Sequence, residues 1–94
     1  MHRSWGKPDK NQAGIVAALR KAGVSVMITA PLADGQPDLV CSWRGHVTFM
    51  ELKQPGKKLR PRQAAWVAAW DPFAHFAVVE TIQDALAATI RRTS

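Results

Sequence analysis

The chain has 94 residues, 47% of them hydrophobic, which supplies one small core and leaves too little for a second domain. Thirteen Lys and Arg against seven Asp and Glu give a formal charge of +6, which favours a polyanionic partner, nucleic acid before an anionic membrane surface. There is no apolar run long enough for a transmembrane helix and no signal-peptide pattern, and the single Cys41 excludes an internal disulfide framework and fits a reducing, cytoplasmic setting.

Residues 1–10 are polar and basic around Gly6-Lys7-Pro8, which predicts a flexible arm ahead of a single domain over 11–94, with Trp5 as an anchor for it. From Asn11 to Lys21 the apolar spacing of Ile15, Val16 and Leu19 predicts a helix, with Arg20 and Lys21 in its last turn and Gly23 as its stop. Val24 to Ala30 is β-branched and reads as a first strand, and Pro31 to Pro37 reads as a loop in which Asp34 is expected to serve the turn.

Two further strands follow, Leu39-Val40-Cys41 and Val47 to Lys53, joined by a turn over Ser42-Trp43-Arg44-Gly45-His46. Asp38 opens the first and Glu51 and Lys53 close the second, so a hairpin carries all three charges to one end. Side chains two apart on a strand share a face, which makes Glu51 and Lys53 neighbours with Met50 and Leu52 behind them. Two converging carboxylates repel unless a cation neutralises them, and oxygen donors suit Mg2+ or Mn2+. Asp38, Glu51 and the backbone carbonyl of Leu52 are therefore the candidate metal ligands, and Lys53 is the candidate for orienting water or stabilising charge on a phosphate. Cys41, on a strand, is expected to be a buried, inert thiol.

Lys57, Lys58, Arg60 and Arg62 put four cations into six residues directly after this site, and phosphate contact is the economical reading of that run. Pro61 suits the first turn of a helix that continues to about Trp70, with Trp66 and Trp70 one turn apart for packing in the core or across a dimer. Asp71-Pro72 ends it. Phe73 to Glu80 reads as a fourth strand containing His75, and Thr81 with Asp84 forms a capping pair for a last helix whose stripe is Ile82, Ala85, Leu86 and Ile90. No histidine pair has metal-ligand spacing, and His46 falls in a turn.

The succession Gly35-Gln36-Pro37-Asp38-Leu39, hairpin, Glu51-Leu52-Lys53 resembles the PD-(D/E)xK nuclease superfamily. Within it, the chain is most similar to small stand-alone, phage-type members of the VRR-NUC family, because Gln54-Pro55-Gly56-Lys57-Lys58-Leu59 and Arg60-Pro61-Arg62-Gln63 continue the pattern. The likeness runs from the first helix to the last. It implies an α/β, restriction-endonuclease-like core in the order αβββαβ with a C-terminal helix, the mixed central sheet flanked by helices. It also implies a metal-dependent, structure-selective DNA endonuclease that forms a homodimer, with Gln63 added to Asp38, Glu51 and Lys53 as a catalytic residue. Members of the family carry a Glu in the first helix; here Gln12 stands as the substitute metal ligand, contributing an amide oxygen without charge, with only Asp9 acidic nearby. The rival expectation is a weak or inactive DNA- or junction-binding module of the same fold. An unrelated basic interaction protein remains if the hairpin does not form.

Overall fold

The computed structural model describes residues 10–30, 35–70 and 75–90. Among these the order is α1 (Lys10–Lys21), β1 (Ser25–Ile28), β2 (Leu39–Trp43), β3 (His46–Leu52), α2 (Pro61–Ala69), β4 (His75–Val79) and α3 (Ile82–Thr89). Helix α1 begins at Lys10, one residue inside the arm expected over 1–10; the rest of that arm, with Trp5 and Asp9, lies outside the described residues, as do Asp34, Asp71, Pro72 and Phe73.

The protein is a small mixed α/β domain, a four-stranded sheet in the order β1-β2-β3-β4 with three helices. Strands β1, β2 and β3 are antiparallel neighbours and β4 runs parallel to β3. A parallel neighbour needs a crossover, and α2 supplies it between β3 and β4. The hairpin is tighter than the five-residue turn expected: Trp43 pairs with His46, so only Arg44 and Gly45 turn the chain. Both have positive φ, 49° and 84°, as a primed two-residue turn demands. Arg44 accepts that conformation with its guanidinium 4.5 Å from the Trp43 ring centre, a cation–π contact.

Alternation along the strands divides the sheet into two faces. Leu39, Cys41, Met50 and Val79 point to one face, where they form a closed core with Ile15, Val16 and Leu19 of α1, Val24, and Ala85 of α3. Helix α1 packs on β1, and α3 lies across β2, β3 and β4. Thr48 faces the same way and donates to the carbonyl of Ala88 at 3.5 Å. Cys41 is buried here as expected, and burial pushes its thiol up to about 11. Thr81 and Asp84 form the expected reciprocal cap of α3, Thr81 Oγ1 accepting from Asp84 N at 3.0 Å and Asp84 Oδ2 from Thr81 N at 3.2 Å. The α3 stripe starts one turn later than expected: Ile82, its first residue, stays exposed, and Ala85, Leu86 and Ile90 pack inward with Ala88 and Thr89.

The opposite face receives α2. Phe49 meets Trp66 edge-on at 5.5 Å and Trp70 at 4.9 Å between ring centres, and Trp66 lies 6.3 Å from Phe76. The two tryptophans thus pack on the sheet, with Trp70 left partly exposed. No described helix is long and apolar enough to cross a membrane.

Candidate active site

Strand pairing brings the acids together. The register that pairs Leu39 with Met50 brings Asp38 level with Glu51 on the α2 face of the sheet. Like charges directly opposite on neighbouring strands are destabilising, so the position needs compensation. Asp38 finds part of it in the backbone: its Oδ2 accepts from the amide of Leu52 at 2.9 Å.

Glu51 is 3% exposed, an unusual depth for a carboxylate. Burial pushes its carboxyl up from 4.5 to about 7; the negative charge of Asp38 pushes the same way, as does a side-chain hydrogen bond between the two acids, while Lys53 and Arg60 pull it back. Lys53 stands on the same face, its Nζ 3.7 Å from Glu51 Oε2 and itself largely buried. The Glu51–Lys53 neighbourhood expected from strand alternation is therefore present.

Gln63 comes from α2. The β3–α2 crossover starts the helix near the end of β3 that carries the acids, and Pro61 at the first helical position sets its direction. Gln63 falls three residues after Arg60, where its Oε1 accepts from the Arg60 amide at 2.9 Å. That bond fixes which way the side-chain amide points. Its Nε2 is left to donate to Glu51 Oε2, and it does. One buried amide therefore caps a helix and restrains a carboxylate together.

A cavity of about 690 Å3 opens beside these groups, lined by Asp38, Gln63, Arg60, Arg62, Gly35 and Gln36 among others. Of the four expected phosphate-contacting cations, Arg60 and Arg62 line it. Lys57 and Lys58 do not; they are exposed beyond a turn closed by Lys57 N donating to Gln54 O at 3.0 Å, with Pro55 and Gly56 (φ 83°) at its centre.

The Gly-x-Pro-Asp segment is held from two sides. Gly35 has φ 86°, and a Cβ there would lie 2.6 Å from the carbonyl oxygen of Arg62, so only glycine lets the first turn of α2 approach this loop. From the other side, Thr29 and Ala30 after β1 both donate backbone N–H to the carbonyl of Asp38, at 2.7 and 3.0 Å. The contacts made by Thr29, the Gly35–Arg62 approach and the effect of Arg60 on Glu51 were not expected from sequence. A Gln three residues past Arg60 beside Pro61 was the one local clue to how the Gln63 side chain is held.

The donor set fits a hard divalent cation. Two level carboxylates have an excess of negative charge that a cation would neutralise. Gln12 Oε1 is buried with no hydrogen-bond partner among the described residues, and such a group costs about 1–3 kcal/mol unless something occupies it. Gln12 shares the inward stripe of α1 with Ile15, Val16 and Leu19. The adjoining Asn11 Nδ2 donates to Glu80 O at 3.5 Å, which ties this end of the helix to the end of β4 whose Val79 pairs with Leu52. Among the described residues no three His, Cys, Asp or Glu side chains gather for a metal, so a cation here would rely on two carboxylates and neutral oxygens. Ions such as Mg2+ keep several waters and need few protein ligands.

No protein-family model matches the chain, and no curated protein is significantly similar to it.

Proposed function

We propose that the chain is a metal-dependent deoxyribonuclease of the VRR-NUC kind, built on a restriction-endonuclease-like core and hydrolysing phosphodiester bonds of structured DNA. The observation that carries this reading is the convergence of Asp38 and Glu51, with Lys53 at 3.7 Å, beside a cavity lined by Arg60 and Arg62. Asp38, Glu51 and the Leu52 carbonyl would hold Mg2+ or Mn2+, with Gln12 Oε1 as a further oxygen. When bound, such an ion supplies Lewis acidity and makes water a stronger nucleophile at neutral pH.

The chain's own groups do the rest. Lys53 orients the attacking water and offsets charge developing on the phosphate. Gln63 holds Glu51 so that its oxygens keep one direction. Arg60 and Arg62 receive the phosphates flanking the scissile bond, and Lys57 and Lys58 extend that contact along the strand. A homodimer in a cytoplasmic setting completes the reading; sedimentation at several protein concentrations tests the dimer.

A second reading, a binding module with weak or no cleavage, is favoured by the neutral amide of Gln12 and by the two-carboxylate donor set. Cleavage of a labelled panel of duplex, flap, junction and single-stranded DNA in Mg2+, Mn2+ or EDTA separates the two. Metal-dependent cutting lost in Asp38→Ala and Lys53→Ala is expected; cutting retained in both sinks the nuclease. Tight binding without cutting in any metal selects the second reading, and Gln12→Glu then tests whether one added charge restores cleavage.

A further inference from the structure

We infer that Thr29 is a positioning residue: its hydroxyl fixes the backbone at Asp38 and so sets where the carboxylate stands against Glu51. The inference rests on the reading of Asp38 and Glu51 as a metal-holding pair, and Thr29 itself touches neither carboxylate.

The ladder between β1 and β2 ends with Ile28 opposite Leu39. One residue further on, the backbone still supplies donors, since Thr29 N and Ala30 N both bond the carbonyl of Asp38. Among the described residues it supplies none to the preceding carbonyl, that of Pro37, which lies in a fully buried residue. Thr29 Oγ1 takes the place of the missing donor, reaching Pro37 O at 2.6 Å from a buried position. The peptide groups before and after the Asp38 Cα are therefore both tied to Thr29, one through its hydroxyl and one through its amide.

Holding both peptides fixes the direction of the Asp38 Cα–Cβ bond. Only the side-chain torsions then remain, and the Leu52 amide fixes those by binding Oδ2 at 2.9 Å. Without the hydroxyl, Pro37 O is a buried acceptor with no donor among the described residues, and the 37–38 peptide is free to rotate towards water. A small rotation there swings the carboxylate away from both Leu52 N and Glu51. Positioning of this kind governs metal affinity, because a ligand held off its geometry must be reordered at every binding event.

The test uses the full chain with Thr29→Val, which keeps the shape and removes the donor, and Thr29→Ser, which keeps the donor and removes a methyl group. Two quantities are read: Mn2+ affinity by calorimetry, and exchange of the Leu52 amide hydrogen in EDTA, with the Met50 amide as the reference for global opening. Thr29→Val is expected to weaken Mn2+ about tenfold and to speed Leu52 exchange relative to Met50, while Thr29→Ser stays close to the native protein. Native Mn2+ affinity and native Leu52 exchange in Thr29→Val overturn the inference. A native protein that binds no Mn2+ overturns the metal reading instead, and Leu52 exchange alone then decides the role of Thr29. If Thr29→Val does not fold, Thr29→Cys, a weak donor, is compared with Thr29→Ser, and equal behaviour of those two overturns the inference.

Discussion

The two faces of one sheet do opposite work. Towards α1 and α3 the strands present Leu39, Cys41, Met50 and Val79, and no charged side chain of the described residues enters that core. Two of its polar members are satisfied by helix carbonyls, Thr89 Oγ1 donating to Ala85 O at 2.9 Å and Thr48 Oγ1 to Ala88 O at 3.5 Å. Towards α2 the same strands present Val40, Phe49, Asp38 and Glu51, followed by Lys53, and leave Met27, Val47 and Val78 exposed. Neighbouring residues of a single strand, Met50 and Glu51, thus belong to different regimes. A slip of one residue in β3 would exchange them, so the apolar face also specifies the register that brings the acids level. Stability is made on one side and used on the other to hold charges that would not otherwise stay together.

Leu39→Ala should break the comparison most directly. It empties a fully buried site among α1, β3 and α3, and large-to-small changes of this type cost about 2–5 kcal/mol. Urea unfolding followed by circular dichroism measures it, and a cost under about 1 kcal/mol would mean that this face is not the core.

Glu51→Gln should act in the other direction. Because the folded carboxyl titrates near 7 and the unfolded one near 4.5, the metal-free native state binds the extra proton between those values. The stabilising contribution is complete below about pH 4.5 and is lost as the pH rises through about 7. The cause is burial together with Asp38, opposed by Lys53 and Arg60. In EDTA at pH 8, Glu51→Gln should therefore be more stable than the native chain, by on the order of 2–3 kcal/mol, and should lose the fall in stability between those pH values. A native chain whose stability is flat across the window would show that Glu51 ionises freely. If Asp38 and Glu51 hold a divalent cation as proposed, adding it should restore the native chain and not the variant.

Gly35→Ala probes the seam between the acid loop and α2. Positive φ and the approach of Arg62 make a cost of about 1–3 kcal/mol the expectation, read as a fall in melting temperature. The same displacement should loosen the Gln63–Glu51 bond, since Gln63 sits in the turn that must retreat. An alanine accommodated without loss would show that the loop and α2 are not in contact.

What was legible in the sequence follows the range over which each feature is decided. The acids at one end of a hairpin, the Thr81–Asp84 cap and the α1 stripe depend on residues a few positions apart, and periodicity or turn chemistry reports them. The tight turn was missed because Arg44 is not the Asn or Asp that signals a primed turn. The exposure of Ile82 was missed because a helical stripe does not say where its partner layer ends. The supports of the site were hidden for a different reason. Thr29 to Pro37, Gly35 to Arg62 and Arg60 to Glu51 join segments brought near by the β1–β2 pairing and the β3–α2 crossover. Nothing in the composition of those segments distinguishes a supporting Thr or Gly from an ordinary loop residue.

The smallest expected effect separates the cavity cations from the loop cations. Lys57 and Lys58 are exposed and outside the cavity, whereas Arg60 and Arg62 line it. If the chain binds and cuts DNA as proposed, replacing both lysines by alanine should remove two phosphate contacts, lowering the slope of log affinity against log salt by about 2 and weakening every DNA structure alike. The rate of cutting from the bound complex should be unchanged, because neither side chain reaches the acids. Replacing Arg60 should instead lower that rate, and it should raise the Glu51 carboxyl further, since Arg60 is one of the charges that pull it down. If the double lysine variant changes the rate of cutting and the Arg60 variant changes only the salt slope, the polyanion approaches from the loop side, and the division of labour drawn from the cavity is reversed.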